Sequence, residues 1–288
     1  MSRIDRKVAV IGLGYVGLPL AALCAKKGYQ VVGLDANEQI VALLTKGKCH
    51  IRDDAVEKLL ADAIATNNFQ ATGDSVAIAD CGIYLICVPT PVDANNEPDL
   101  GPLESACRIV APHLTTNDLV VVESTVFPGT CEQVVAPLLE EISGLDAGTD
   151  FSLAHCPERI NPGDLFWTSE NIPRVVGATS GPGAQMAAEF YASILGGKIF
   201  DIREIKKNLS PKFSETPQGL HIAHVPLGSV TKMRSIRDAE AVKAMENTVR
   251  DVNIAFVNEL AKISNVLKLD VVDIIDGMST KPFGKGPF

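Results

Sequence analysis

The chain has 288 residues, 46% of them hydrophobic, and a formal net charge of −9. That length holds about two domains and that apolar content a real core, which excludes a disordered chain. The acidic balance excludes a nucleic-acid partner, whose phosphates need a basic surface, and no apolar run reaches membrane-spanning length.

The first strand is "KVAVIG" (7–12). Its apolar run is brief and meets glycines at once, so it reads as a strand and not as a signal peptide. "GLGYVG" (12–17) follows directly and opens a helical stretch, and "QVVGLD" (30–35) closes the unit on an acidic residue. In that setting a GxGxxG points to a dinucleotide. Gly12 allows the tight turn, Gly14 lets backbone approach a pyrophosphate, and Gly17 lets helix and strand pack closely. Tyr15 and Val16, between the glycines, belong to the same cofactor-binding set. The positive end of the helix faces the phosphates. Asp35 suits a ribose hydroxyl and repels a 2′-phosphate, and no Lys or Arg follows it before Lys46. NAD is therefore favoured over NADP.

Further short apolar runs are "IYLICV" (83–88), "LVVVES" (119–124), "FSLAH" (151–155) and "RVVGA" (174–178). Such runs are buried on both faces, as in a parallel sheet, and the segments between them can each hold a crossover helix. The fold class is α/β: a Rossmann-type, doubly wound parallel sheet over residues 1–200. In such a sheet the carboxyl ends of the strands face the ligand crevice. Pro89 and Thr90 in "CVPTPV" and Thr125 in "ESTVFPGT" sit at such ends, and both segments are candidates to touch the cofactor.

"AHCPERINPGD" (154–164) holds a tempting nucleophile, Cys156. Neighbouring side chains of an extended segment point to opposite faces, so His155 cannot easily serve it as base. Free cysteine among apolar residues is commonly just a small core residue. Glu158 and Asn161 are better placed for polar chemistry. The seven cysteines are odd in number and form no CxxC pair, which reads as reduced thiols in a cytoplasmic protein. "GATSGPG" (177–183) reads as an ordinary strand-to-helix turn.

Residues 201–235 are polar, carry three prolines over 203–235 and have no steady period, so they read as a loop or insertion. His221 and His224 make an HxxH there, but with no acidic or thiol partner nearby no metal site is assigned. One long helix follows, about Ile236 to Leu267, with Ser235 and Asp238 as a capping start. Val242, Met245, Val249, Val252, Phe256, Leu260, Ile263 and Leu267 recur on it at spacings of three and four. A stripe that long bridges domains or packs on a partner chain. Lys243 and Asn247 stand four apart beside the stripe, with Arg250 beyond them. A partly buried lysine with an amide beside it can move protons or hold an oxyanion.

Taken in order, "VIGLGYVGLPLA", "CVPTPV", "ESTVFPGT", "CPERINPGD" and "AEAVKAMENTVRDVNIAFVNELA" resemble the UDP-glucose/GDP-mannose dehydrogenase family. The likeness spans nearly the whole chain outside about 204–232. "PERINPGD" is most similar to the branch that oxidises UDP-N-acetylhexosamines, UDP-N-acetylmannosamine dehydrogenases among them. The UDP-glucose branch usually carries a second glutamate where this chain has Asn161, Pro162 and Gly163. The resemblance implies oxidation of the sugar's C6 hydroxyl to a carboxylate with two NAD, through a thiohemiacetal and a thioester on a cysteine. It implies that Glu158 assists hydrolysis, that Thr125 lies beside the nicotinamide and that Asp35 holds the adenosine ribose. Lys243 and Asn247 would act in proton transfer, water positioning or oxyanion stabilisation. Residues 236–288 would be an incomplete central helical domain that forms a homodimer through the helix 236–267. The family's nucleophile lies in a later "GGHC"-like segment, and this sequence stops at "STKPFGKGPF". On that basis the chain is expected to be the N-terminal part of such an enzyme, a fragment or the product of a broken locus, inactive by itself. Two rival readings remain: a two-electron β-hydroxyacid-type dehydrogenase, which needs no cysteine, and a non-catalytic NAD-binding dimerisation module.

Overall fold

A computed structural model of the chain describes residues 6–160, 166–209 and 225–280. The chain begins with β1 (Lys7–Ile11), α1 (Gly17–Lys26), β2 (Val31–Leu34), α2 (Glu38–Thr45), α3 (Asp54–Ala65) and β3 (Phe69–Thr72). It continues through β4 (Cys81–Ile86), α4 (Gly101–Val110), β5 (Leu119–Val122), α5 (Ala136–Ser143), β6 (Ser152–His155) and β7 (Arg174–Ala178). After these come α6 (Gly181–Leu195), β8 (Ile199–Asp201), α7 (Ile202–Leu209), β9 (Val230–Lys232), α8 (Ile236–Leu267) and α9 (Val271–Ser279).

Among the described residues the strands form one sheet of nine, ordered β3-β2-β1-β4-β5-β6-β7-β9-β8. The six from β3 to β6 are parallel throughout. Their central members are almost wholly apolar because helices cover both faces. One core packs α1, α3 and α6 on the sheet, through Leu18, Leu60, Phe190 and Tyr191 among others. The other packs α4 and α5, through Leu103, Val110 and Leu139, and takes in Ile236 at the start of α8.

Two features depart from the sequence reading. First, β7 runs antiparallel to β6. The stretch between them contains Pro157, Pro162, Gly163 and Pro173 and forms no helix among its described residues, so no crossover returns the chain in the parallel sense. Second, the polar stretch 201–235 is more than a loop. It holds α7 at one end, and β9 at the other pairs with both β7 and β8. The strand lies past the 1–200 boundary of the expected first domain. His221, His224 and Asn161 lie outside the described residues.

The helix expected over 236–267 is observed over that span, with the Ser235 hydroxyl accepting the Asp238 N–H at 3.1 Å. Its first turn crosses β7 at Gly177, where a Cβ would come within 2.2 Å of the Ser235 carbonyl oxygen, so only glycine fits. Farther along, Glu240 is fully buried and its carboxylate accepts the N–H groups of Gly129 and Cys131, at 2.5 and 2.8 Å. This contact fixes the base of α8 against the segment that leads into α5.

Candidate nucleotide-binding crevice

The strand order reverses between β1 and β4, and their carboxyl ends part there to leave a crevice. The glycine turn lines one side. Gly12 has φ +90°, and a Cβ on it would approach the Cys87 carbonyl oxygen to 2.8 Å. A Cβ at Gly17 would fall 1.8 Å from the Gly12 carbonyl oxygen. Both positions therefore demand glycine for reasons internal to the fold. Gly14 differs: a Cβ there meets nothing within 4 Å. The space beside Gly14 is open to a ligand. Val16 packs partly on the core, and Tyr15 is 73% exposed at the rim.

Asp35, just past β2, turns its carboxylate toward the turn. One oxygen accepts the Leu13 N–H at 2.7 Å and the other the Asn37 N–H at 2.8 Å. Each oxygen keeps a further lone pair for a hydroxyl. The residues present fit a dinucleotide: a glycine cradle, a helix N-terminus and a carboxylate at the end of the next strand, held against the glycine turn.

The loops after β4 and β5 meet across the crevice. The Thr90 hydroxyl donates to the Thr125 carbonyl at 2.6 Å, and the Ser124 hydroxyl to the Val88 carbonyl at 2.6 Å. Pro89 and Thr125 are exposed at this edge.

Beyond β6 lies a buried charged group that the sequence reading missed. Glu123, closing β5, and Arg174, opening β7, are both essentially inaccessible. Arg174 donates through Nη1 to Glu123 at 3.0 Å and through Nη2 to Glu158 at 2.6 Å. The Tyr191 hydroxyl donates to the other Glu123 oxygen, and its ring lies 5.7 Å from the guanidinium. Burial pushes the Glu123 carboxyl up to about 7, more than the neighbouring guanidinium pulls it down. Glu158 also accepts the N–H groups of Arg159 and Ile160 at 2.6 and 2.9 Å. Arg159 in turn donates to Glu246 of α8, with Nε–O distances of 3.0 and 3.2 Å, and to the Pro173 carbonyl at 2.9 Å. The signal was present in the sequence: a glutamate ending "LVVVE" and an arginine opening "RVVGA" put charges at the ends of buried strands.

The clamp brings α8 over the strand ends. Lys243 is half-buried, and burial pushes its ammonium below the usual lysine range, opposed by the carboxylates of Glu246 and Glu158. Asn247, one turn on, is exposed. The structure thus brings Glu158 near Lys243, while no contact ties Asn247 to them.

All seven cysteines are free, and burial raises every one of their thiols. Cys156 is completely buried beside Glu123. His155 is buried too, and burial pushes its imidazole down to about 3. Neither is equipped for nucleophilic chemistry. A cleft of 540 Å³ lined by Lys7, Gln30, Asn68 and Phe69 lies at the opposite ends of the strands and contains none of these residues.

Residues 6–195 match the NAD binding domain of the UDP-glucose/GDP-mannose dehydrogenase family, and residues 237–288 match its central domain. The chain is 34% identical over 276 residues to UDP-N-acetyl-D-mannosamine dehydrogenase of Pyrococcus horikoshii, covering 96% of this chain and 58% of that protein. It is 35% identical over 284 residues to UDP-N-acetyl-D-glucosamine 6-dehydrogenase of Salmonella typhi, covering 97% and 58%. The solved structure of the UDP-D-ManNAc dehydrogenase from Pyrococcus horikoshii superposes with a TM-score of 0.81 at 33% identity, covering 97% of this chain and 59% of that one. The chain thus spans a little over half the length of the relatives it matches.

Proposed function

The chain belongs to the UDP-glucose/GDP-mannose dehydrogenase family, and from that premise we propose that the protein oxidises the C6 hydroxyl of a UDP-N-acetylhexosamine to a carboxylate with two NAD. The observation that carries this reading is the crevice between β1 and β4, with Gly14 opening it and Glu158 and Lys243 at its far side. NAD, when bound, supplies the hydride acceptor. The turn Gly12–Gly17 and the N-terminus of α1 would hold its pyrophosphate with Tyr15 and Val16, and Asp35 would accept a ribose hydroxyl. Pro89 and Thr90 would touch the cofactor, and Thr125 would lie beside the nicotinamide.

Glu158 assists the hydrolytic step, its carboxylate already oriented by two backbone N–H groups and a guanidinium. Lys243, with its ammonium destabilised by burial, gives up or takes a proton more readily than an exposed lysine, or holds an oxyanion with Asn247. The seven thiols are poor nucleophiles for capturing the aldehyde: six are buried, and burial raises all seven above the usual thiol value. The apolar stripe of α8 supports a homodimer: Met245, Val249, Val252 and Ile263 are each more than half exposed. Among the described residues no helix is long and apolar enough to cross a membrane, and the reading places the enzyme in the cytoplasm.

The experiment joins residues 1–288 to the C-terminal half of the Pyrococcus horikoshii relative and counts NADH. Two NADH per UDP-N-acetylhexosamine is the expected yield, with none from the 288 residues alone. One NADH per substrate would favour the β-hydroxyacid-type reaction, and NAD binding without any turnover a non-catalytic module.

A further inference from the structure

We propose that Arg174 is a positioning residue for Glu158, holding its carboxylate at the crevice while Glu123 and Tyr191 hold the guanidinium. The inference rests on the reading of Glu158 as a site residue and assigns it a support that acts from the opposite strand.

β6 and β7 are antiparallel, with Ala154 opposite Ala178 and His155 opposite Gly177. Extending that register by three residues sets Arg174 opposite Glu158. Had β7 run parallel to β6, its first residue would lie at the other end of the sheet, away from the crevice. The reversal therefore delivers a cation to the edge where the parallel strands end.

The second step is the fork. A guanidinium presents planar, fixed donors, and here Nη1 and Nη2 reach two different carboxylates at 3.0 and 2.6 Å. Glu123 is itself pinned on its other oxygen by Tyr191. The guanidinium cannot turn without breaking the Glu123 contact, so its second arm points at Glu158. Glu158 then uses Oε2 for Arg174 and Oε1 for the N–H groups of Arg159 and Ile160. Arg159 leads through Glu246 to α8, the helix that carries Lys243. One buried cation thus fixes the carboxylate from below, and the backbone next to it is tied to the helix above.

The third step is charge. Two carboxylates share one guanidinium, which is itself buried with Glu123, while Glu158 keeps some exposure. Arg174 faces Glu123, Glu158, the Cys156 thiol and the Tyr191 hydroxyl. Burial holds the Glu123 carboxyl up, against the pull of the Arg174 guanidinium.

The test reads the two N–H groups that Glu158 accepts, by hydrogen exchange in NMR spectra of the 288-residue chain. Arg174→Lys keeps a cation and loses the fork; Glu123→Gln/Arg174→Met removes cation and excess anion together. Both are expected to speed exchange at Arg159 and Ile160 at least about tenfold, as loss of a charge-assisted hydrogen bond implies. Exchange at Leu13, whose N–H is held by Asp35, should not change. Glu158→Ala should give the same acceleration, and adding Arg174→Lys to it should add nothing, since Arg174 acts through Glu158. Unchanged protection in either Arg174 variant, or additive effects in the combined one, would overturn the proposal. Protection lost throughout the chain in both Arg174 variants would also overturn it, by placing Arg174 in the fold alone. Failure of NAD to bind would sink the cofactor reading and leave this result standing.

Discussion

Removing the Glu240 carboxylate should loosen α8 from the nucleotide-binding domain. Glu240 is fully buried, and both its oxygens accept backbone N–H groups, from Gly129 and Cys131. Glu240→Ala leaves both donors without a partner. Each buried unpaired donor costs about 1–3 kcal/mol. Some water will enter the space vacated by the side chain, so the lower half of the combined range applies, about 3 kcal/mol. For a chain of this size that corresponds to a fall in Tm of about 5 °C. Glu240→Gln keeps one accepting oxygen but turns an NH2 toward the second donor, and should cost about half as much. Thermal melts of the three chains measure the totals. Hydrogen exchange across Ile236–Met245 should show the loss concentrated at the base of α8. A Glu240→Ala chain within about 1 kcal/mol of the parent would refute the reasoning, because the two contacts would then not be holding the helix.

Gly14→Ala should leave Tm unchanged and weaken NAD binding, since the added methyl meets open space in the fold but stands in the cradle; Gly17→Ala should unfold or strongly destabilise the chain. Equal thermal losses in the two variants would contradict this. Glu123, held up at about 7 against an ordinary 4.5, keeps a proton in the folded chain that the unfolded chain has released. It therefore contributes stability that is complete below about 4.5 and is lost as pH rises through 7. Urea unfolding of the parent and Glu123→Gln chains should diverge between those pH values, the parent falling behind as pH rises, and parallel curves would count against the shift. Light scattering should find a dimer that Val252→Glu dissociates, since Val252 is 60% exposed within the apolar stripe of α8; a parent chain that stays monomeric at tens of micromolar, roughly, would remove that interface.

Much of the fold was legible because burial writes itself into sequence as runs and periods. The strands from "KVAVIG" to "RVVGA" are continuous apolar runs, and α8 announces itself by a stripe and a serine cap. β3, β8 and β9 escaped because they are three or four residues long, half-polar, and defined by partners distant in sequence. The direction of β7 is decided by its connection, and the prolines and glycine between 157 and 173 were the available sign that no crossover helix forms there. The glycine turn and Asp35 could be read from spacing because Gly12 and Gly17 each answer a local steric demand and Gly14 falls between them. Arg174 and Glu123 could not, since their meeting depends on a register between strands that pattern does not report. Which of Lys243 and Asn247 approaches Glu158 likewise depends on how α8 docks, and that is set by Glu240 and Arg159.

The measurement closest to the central claim is calorimetric titration of the 288-residue chain with NAD and with NADP. The crevice should bind NAD saturably, one per chain, and NADP at least about tenfold more weakly, if Asp35 accepts a ribose hydroxyl and repels a phosphate as proposed. Asp35→Ala should weaken NAD and narrow the gap between the two. Equal affinities in the parent chain, or no binding of NAD at all, would contradict the account.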